Sequence, residues 1–92
     1  MTISTIGVLG AGQMGGGIAQ ISLMSGFTVI LNDVSEAVLA KSKSGIEKGL
    51  DILVRKEKFS AQDKERMLAG LSTRTSLAEF AACDIVVEAA TE

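Results

Sequence analysis

Five glycines fall within residues 10–17 of the run "IGVLGAGQMGGGIAQ", residues 6–20, and a lone aspartate, Asp33, follows one helix and one strand later. Glycine loses more backbone entropy on folding than any other residue, so the cluster destabilises the chain unless its bare main chain is used. "GAGQMG", residues 10–15, is a complete G-x-G-x-x-G between a strand pattern and a helix pattern. That spacing gives each glycine a task. Gly10 turns the chain out of the strand, Gly12 leaves a pyrophosphate room against the backbone, and Gly15 lets the helix lie close on the sheet. The helix amino end then offers unsatisfied amides and a positive dipole end, which bind phosphate without lysine or arginine. Gly16 and Gly17 extend the bare surface, and Gly17 is expected to serve helix–strand packing. The plainer alternative is a structural glycine turn with no ligand.

Asp33 ends the second strand pattern at the distance of about 20 residues that a dinucleotide site requires. A carboxylate there accepts hydrogen bonds from both hydroxyls of an adenosine ribose and repels a 2′-phosphate. The surrounding "LNDVSEA" holds no arginine, so NAD is expected rather than NADP. The competing role for Asp33 is that of a turn or capping residue after a strand.

The rest of the sequence supplies elements to position these residues. "STIGVLG" reads as a buried strand ending at Gly10, and residues 14–25 follow helical spacing through Met14, Ile18, Ile21 and Met24. Gly26 suits a helix C′ position, and "FTVIL", residues 27–31, is a second strand. Ser35 and Glu36 open a long helix reaching Arg55 or Lys56, with Leu39, Ile46, Leu50 and Leu53 on its apolar side. "SAQD" caps another helix that Gly70 closes, "LSTRTS" is a brief third strand, and Ser76 with Glu79 forms a second capping box, "SLAE". "DIVVEAA" is a fourth strand. The pattern β-α-β-α-α-β-α-β predicts an α/β domain with a Rossmann-type parallel sheet in the order 3-2-1-4 and helices on both faces. A helical excursion separates strands two and three. The open edge at strand four leads us to expect further strands beyond it, hence a truncated domain.

A chain of 92 residues bounds this to one small domain, and a net charge of −2 gives no reason to expect nucleic acid or an anionic membrane as partner. No apolar run approaches the ~20 residues a bilayer needs. "MTISTIGVLG" lacks a basic segment, so no secretory signal is expected, and the single Cys83 suits a reducing, cytoplasmic setting. There is no histidine, which removes the commonest acid–base group and the commonest metal ligand. No metal site is expected, and Cys83 reads as a small, partly buried residue.

"IGVLGAGQMGGGIAQISLMSGFTVILNDVSEAVL", then a basic helical segment, then "CDIVVEAATE", resembles the N-terminal domain of the 3-hydroxyacyl-CoA dehydrogenases, the 3-hydroxybutyryl-CoA enzymes among them. The similarity runs over essentially the whole chain. It implies that residues 1–92 are the N-terminal part of an NAD-binding domain whose C-terminal substrate and dimerisation domain lies elsewhere. The family oxidises the 3-hydroxyl of an acyl-CoA to a ketone and passes hydride to NAD. By resemblance, Gly10, Ala11, Gly12, Gln13, Met14 and Gly15 hold the pyrophosphate and Asp33 the adenosine ribose. Ala89 and Ala90 pass beside the cofactor, and Glu92 contacts its nicotinamide side. Lys56, with Arg55 and Lys58 beside it, matches the basic cluster that reaches coenzyme A. A charge run at a helix end is equally read as a solvated face. Gly45 and Gly49 are expected to admit a ligand or a second domain. The family's catalytic histidine–glutamate pair, with its assisting serine and asparagine, is expected beyond these residues, so the chain is expected to bind NAD and catalyse nothing. The parent enzyme is expected to be a homodimer. Two alternatives stay open: a 3-hydroxyisobutyrate or 6-phosphogluconate type of dehydrogenase, and a non-catalytic NAD-sensing module.

Overall fold

Apolar runs broken by glycine fold into four short strands and three helices in the computed structural model, which describes residues 3–89. Strands β1 (Thr5–Leu9), β2 (Thr28–Asn32), β3 (Leu71–Arg74) and β4 (Ile85–Glu88) form one parallel sheet in the order β3-β2-β1-β4. Val8 pairs with Leu31 and Val87, and Gly7 with Ile30 and Val86. Side chains alternate along a strand, so one face carries Val8, Val29, Leu31 and Leu71 and the other carries Gly7, Leu9, Ile30 and Val86.

Helix α1 (Gln13–Met24) begins one residue before the expected start, because Gly12 is its N-cap. It ends in a closed turn: Gly26, at φ +94, donates to the Leu23 carbonyl, and Phe27 donates to Ser22. That double bond is why Phe27 belongs to the turn and β2 starts at Thr28. Helix α2 (Glu36–Arg55) is capped by the Ser35 hydroxyl, which accepts from the Val38 amide. Helix α3 (Ala61–Ala69) opens with the expected capping box, Ser60 and Asp63 each accepting from the other's amide.

The three helices contact one another and share the Val8 face, where Leu23, Leu31, Leu50, Val8 and Val29 are fully buried. Each such side chain contributes roughly 1.5–3 kcal/mol on leaving water. Among the described residues, the opposite face is roofed only by a short 3₁₀ turn (Ala78–Ala82). A Cβ on Gly7 would come within 2.9 Å of the Cys83 sulfur and 3.4 Å of the Phe80 ring, so glycine is what lets this turn settle on the sheet. Helical cover therefore lies on both faces, but very unequally. Burial, then the neighbouring Asp84 charge, push the Cys83 thiol up from its ordinary pKa, as befits a packed residue.

The capping box expected at "SLAE" does not form. The turn starts after Leu77, the Ser76 hydroxyl accepts from the Ala78 amide at 3.2 Å, and Glu79 pairs with Arg74 instead. Asp84, unremarked in the sequence, stitches β4 to β1 by accepting the Ser4 and Thr5 amides, both at 2.9 Å. Among the described residues β4 pairs only with β1, and its Ile85 and Val86 are exposed.

Helix α2 closes with the same double bond as α1: Glu57 donates to Val54 and Lys58 to Leu53. Here the left-handed residue is Glu57, at φ +60. Glutamate pays a steric penalty in that conformation which glycine escapes. Glu57→Gly is expected to raise the unfolding free energy by about 0.5–1 kcal/mol, the left-handed penalty of roughly 1–2 kcal/mol less the extra entropy that glycine loses, read from urea denaturation. An unchanged or lower midpoint would contradict the left-handed turn.

Candidate functional site

Three chain segments converge at the carboxyl edge of the sheet. Gly10 leaves β1 at φ +101, a left-handed conformation that a side chain disfavours, and its amide donates to the Asn32 carbonyl at 2.8 Å. The chain then enters α1 through Gly12, which has no side chain with which to cap the helix, and the helical ladder begins with Gly16 donating to the Gly12 carbonyl at 2.9 Å. A Cβ on Gly15 would lie 1.7 Å from the Gly10 carbonyl oxygen, so a side chain there is impossible without opening the turn. The result is a main-chain cradle at a helix amino end, which suits a pyrophosphate.

Asp33 reaches this cradle. Its Oδ2 accepts the Ala11 amide at 3.0 Å, and its Oδ1 accepts the Ser35 amide at 3.0 Å. The Ala11 amide above all, then the Ser35 amide, hold the carboxyl below its usual range against the opposing effect of burial. Asp33 is thus the turn-forming residue of the plainer expectation and also a brace for the glycine turn. The carboxylate still has acceptor capacity for further donors. Val34, beside it, is 90% exposed.

Sequence reasoning missed the residues that support this edge. Asn32 is buried, and its side-chain amide donates to the Ser76 carbonyl at 2.9 Å. The Asp33 amide donates to the Arg74 carbonyl at 3.2 Å. "LNDVSEA" contains no arginine, but the parallel sheet brings Arg74 next to Asn32. The order 3-2-1-4 was the signal from which that neighbour was readable. Ala89 is buried at the same edge, donating its amide to the Leu9 carbonyl at 2.7 Å. Ala90 and Glu92 lie outside the described residues.

Arg55 and Lys56 are exposed and sit apart from the cradle. Arg55 ends a helix of 20 residues that starts beside Asp33, and such a helix is about 30 Å long. Three other glycine expectations need correction. Gly17 is exposed with nothing within 4 Å of a Cβ built on it, so it does not pack on a strand. Gly16 takes the close-packing role, its Cβ position lying 2.7 Å from the Ser42 hydroxyl of α2. Gly49 admits no outside group at its Cβ position, because the Gln20 side chain of α1 lies 2.5 Å away. Gly45 does face open space, in a cleft of about 580 Å³ between Gln13, Gly17 and Gln20 of α1 and Lys41 and Gly45 of α2.

A parallel sheet in this order, with a bare glycine turn feeding a helix and an acid at the end of the second strand, defines a dinucleotide-binding domain of the Rossmann class. The chain belongs to the family described as 3-hydroxyacyl-CoA dehydrogenase, NAD binding domain, whose model matches residues 5–92. NAD is accordingly the cofactor of this domain. The chain is 46% identical over 86 residues to a probable 3-hydroxybutyryl-CoA dehydrogenase of Deinococcus radiodurans, covering 94% of this chain and 31% of that protein. It is 43% identical over 97 residues to the mitochondrial hydroxyacyl-coenzyme A dehydrogenase of Rattus norvegicus, covering 98% of this chain and 31% of that protein. The crystal structure of (S)-3-hydroxybutyryl-CoA dehydrogenase from Ralstonia eutropha superposes with a TM-score of 0.94 at 43% identity, over 99% of this chain and 32% of that one. The chain thus spans about a third of the length of these relatives.

The Asp33 brace has a pH signature. A carboxyl held below its unfolded value stabilises the fold above that value, about pH 4, and the stabilisation is lost as pH falls through the folded value. Urea midpoints followed from about pH 6 to about pH 2 are expected to fall more steeply for the native chain than for Asp33→Asn. Parallel curves would show that the carboxylate is not so engaged.

Proposed function

We propose that this chain is the cofactor-holding part of an enzyme that oxidises the 3-hydroxyl of an acyl-CoA to a ketone, with hydride passing to NAD. The observation that carries the proposal is the Asp33 carboxylate at 3.0 Å from the Ala11 amide, inside a domain of this family. Residues 10–15, namely Gly10, Ala11, Gly12, Gln13, Met14 and Gly15, take the pyrophosphate against main chain. Asp33 takes the adenosine ribose through its remaining acceptor positions. Ala89 lines the cofactor's path along the sheet edge, and the resemblance assigns Ala90 to the cofactor and Glu92 to its nicotinamide side. Lys56 and Arg55 meet phosphates of coenzyme A at the far end of α2. Bound NAD supplies a hydride acceptor at nicotinamide C4.

These residues bind and orient, and none is proposed to move a proton. The base that the resemblance implies is a histidine, a residue type the 92 positions do not contain. The same reading carries a homodimer built through a second domain and a cytoplasmic location.

Two substitutions test the cofactor half by calorimetric titration of the chain. Gly12→Val is expected to abolish NAD binding while the circular dichroism spectrum stays native, because the side chain fills the pyrophosphate's place. Asp33→Ala is expected to weaken NAD by about tenfold, the worth of a hydrogen bond to a charged group, and to narrow the preference for NAD over NADP. Unaltered NAD affinity in either variant removes that residue from the site.

A further inference from the structure

The carboxyl end of β3 brings a guanidinium to the side of the site where the ribose is proposed to lie. Arg74 pairs in register with Asn32, and its carbonyl accepts the Asp33 amide at 3.2 Å. Neighbouring strands lie only about 4.8 Å apart, a spacing that an extended arginine side chain spans. An arginine in such a place is the usual means by which a dinucleotide site accepts the 2′-phosphate of NADP. Yet the Arg74 side chain is already engaged. Its Nε donates to the Glu79 carboxylate on the 3₁₀ turn, and a terminal nitrogen donates to the Thr73 carbonyl at 2.8 Å. The adjoining cleft of about 420 Å³, between α2 and the end of β3, is lined by Arg74 together with Glu36 and Lys43. One cation, Arg74, therefore stands on the strand next to the ribose position, and its anion is already in place.

We propose that Glu79 is a specificity-determining residue for the cofactor. By pairing with Arg74 it denies a 2′-phosphate its cation, and it complements the repulsion from Asp33. The inference rests on Asp33 being the ribose ligand. It also explains why Glu79 serves Arg74 rather than the helix cap that its position in "SLAE" suggests. The two side chains are 41% and 50% exposed, so solvent screens the pair and its restraint is modest.

The test is calorimetric titration of NAD, and of NADP in competition with NAD, into the chain and four variants. Glu79→Gln is expected to tighten NADP by about two- to fivefold, the fold-change that an exposed ion pair's strength converts to, with NAD unchanged. Arg74→Met is expected to leave both cofactors as in the native chain. The double variant is expected to return NADP to the native value. Glu79→Ser gives an independent reading should Glu79→Gln disturb the fold. Unaltered NADP affinity in a folded Glu79 variant overturns the proposal. So does a gain that persists without Arg74, and so does an equal gain for both cofactors. NAD affinity that survives Asp33→Ala would instead overturn the reading beneath it, so the two failures are distinguishable.

Discussion

One carboxylate holds the carboxyl edge together. Asp33 accepts an amide from the glycine turn with one oxygen and an amide from the start of α2 with the other. Beside it, the Gly10 amide joins the β1–α1 turn to the Asn32 carbonyl at the start of the β2–α2 turn. A glycine-rich turn has little rigidity of its own, because its residues have the widest backbone freedom. The brace therefore does what side-chain packing cannot do in a segment that has almost no side chains. It fixes the cradle before any ligand arrives, which lowers the ordering cost of binding.

The same bareness explains the packing around the turn. Gly15 lets α1 meet the Gly10 carbonyl and Gly16 lets it meet Ser42 of α2, so the two helices settle against the strand end and each other. The entropy that these glycines cost is offset by burial of Val8, Leu23, Leu31 and Leu50 beneath the helices. Cradle and core are thus one arrangement, since moving α1 outward would loosen both.

Most of this was legible from local signals. The glycine spacing, the caps at Ser35 and Ser60 and the apolar runs each act over a few residues, and they predicted the elements and the order 3-2-1-4 correctly. What escaped was long-range. That Asp33 braces Ala11, that Asp84 stitches β4 to β1, and that Arg74 stands beside Asn32 all depend on strands meeting across the sheet. The misassigned glycines fail for a related reason: whether Gly17 or Gly49 is packed depends on where α2 lies, and helical spacing along one segment does not reveal that. Glu79 was misread because the turn starts one residue late and a partner from β3 competes for its carboxylate. The family match decides against the 3-hydroxyisobutyrate and 6-phosphogluconate alternative.

The thin roof over the Gly7 face has its own consequence. Among the described residues, three helices insulate one side of the sheet, while five residues of 3₁₀ turn shelter the other. Local opening among the described residues is therefore easiest on that side, where the fewest buried contacts must part. The sulfur of Cys83 sits under this roof against Gly7. The half-buried lone thiol in that position works as a gauge of the turn, since each lifting of it bares the sulfur further.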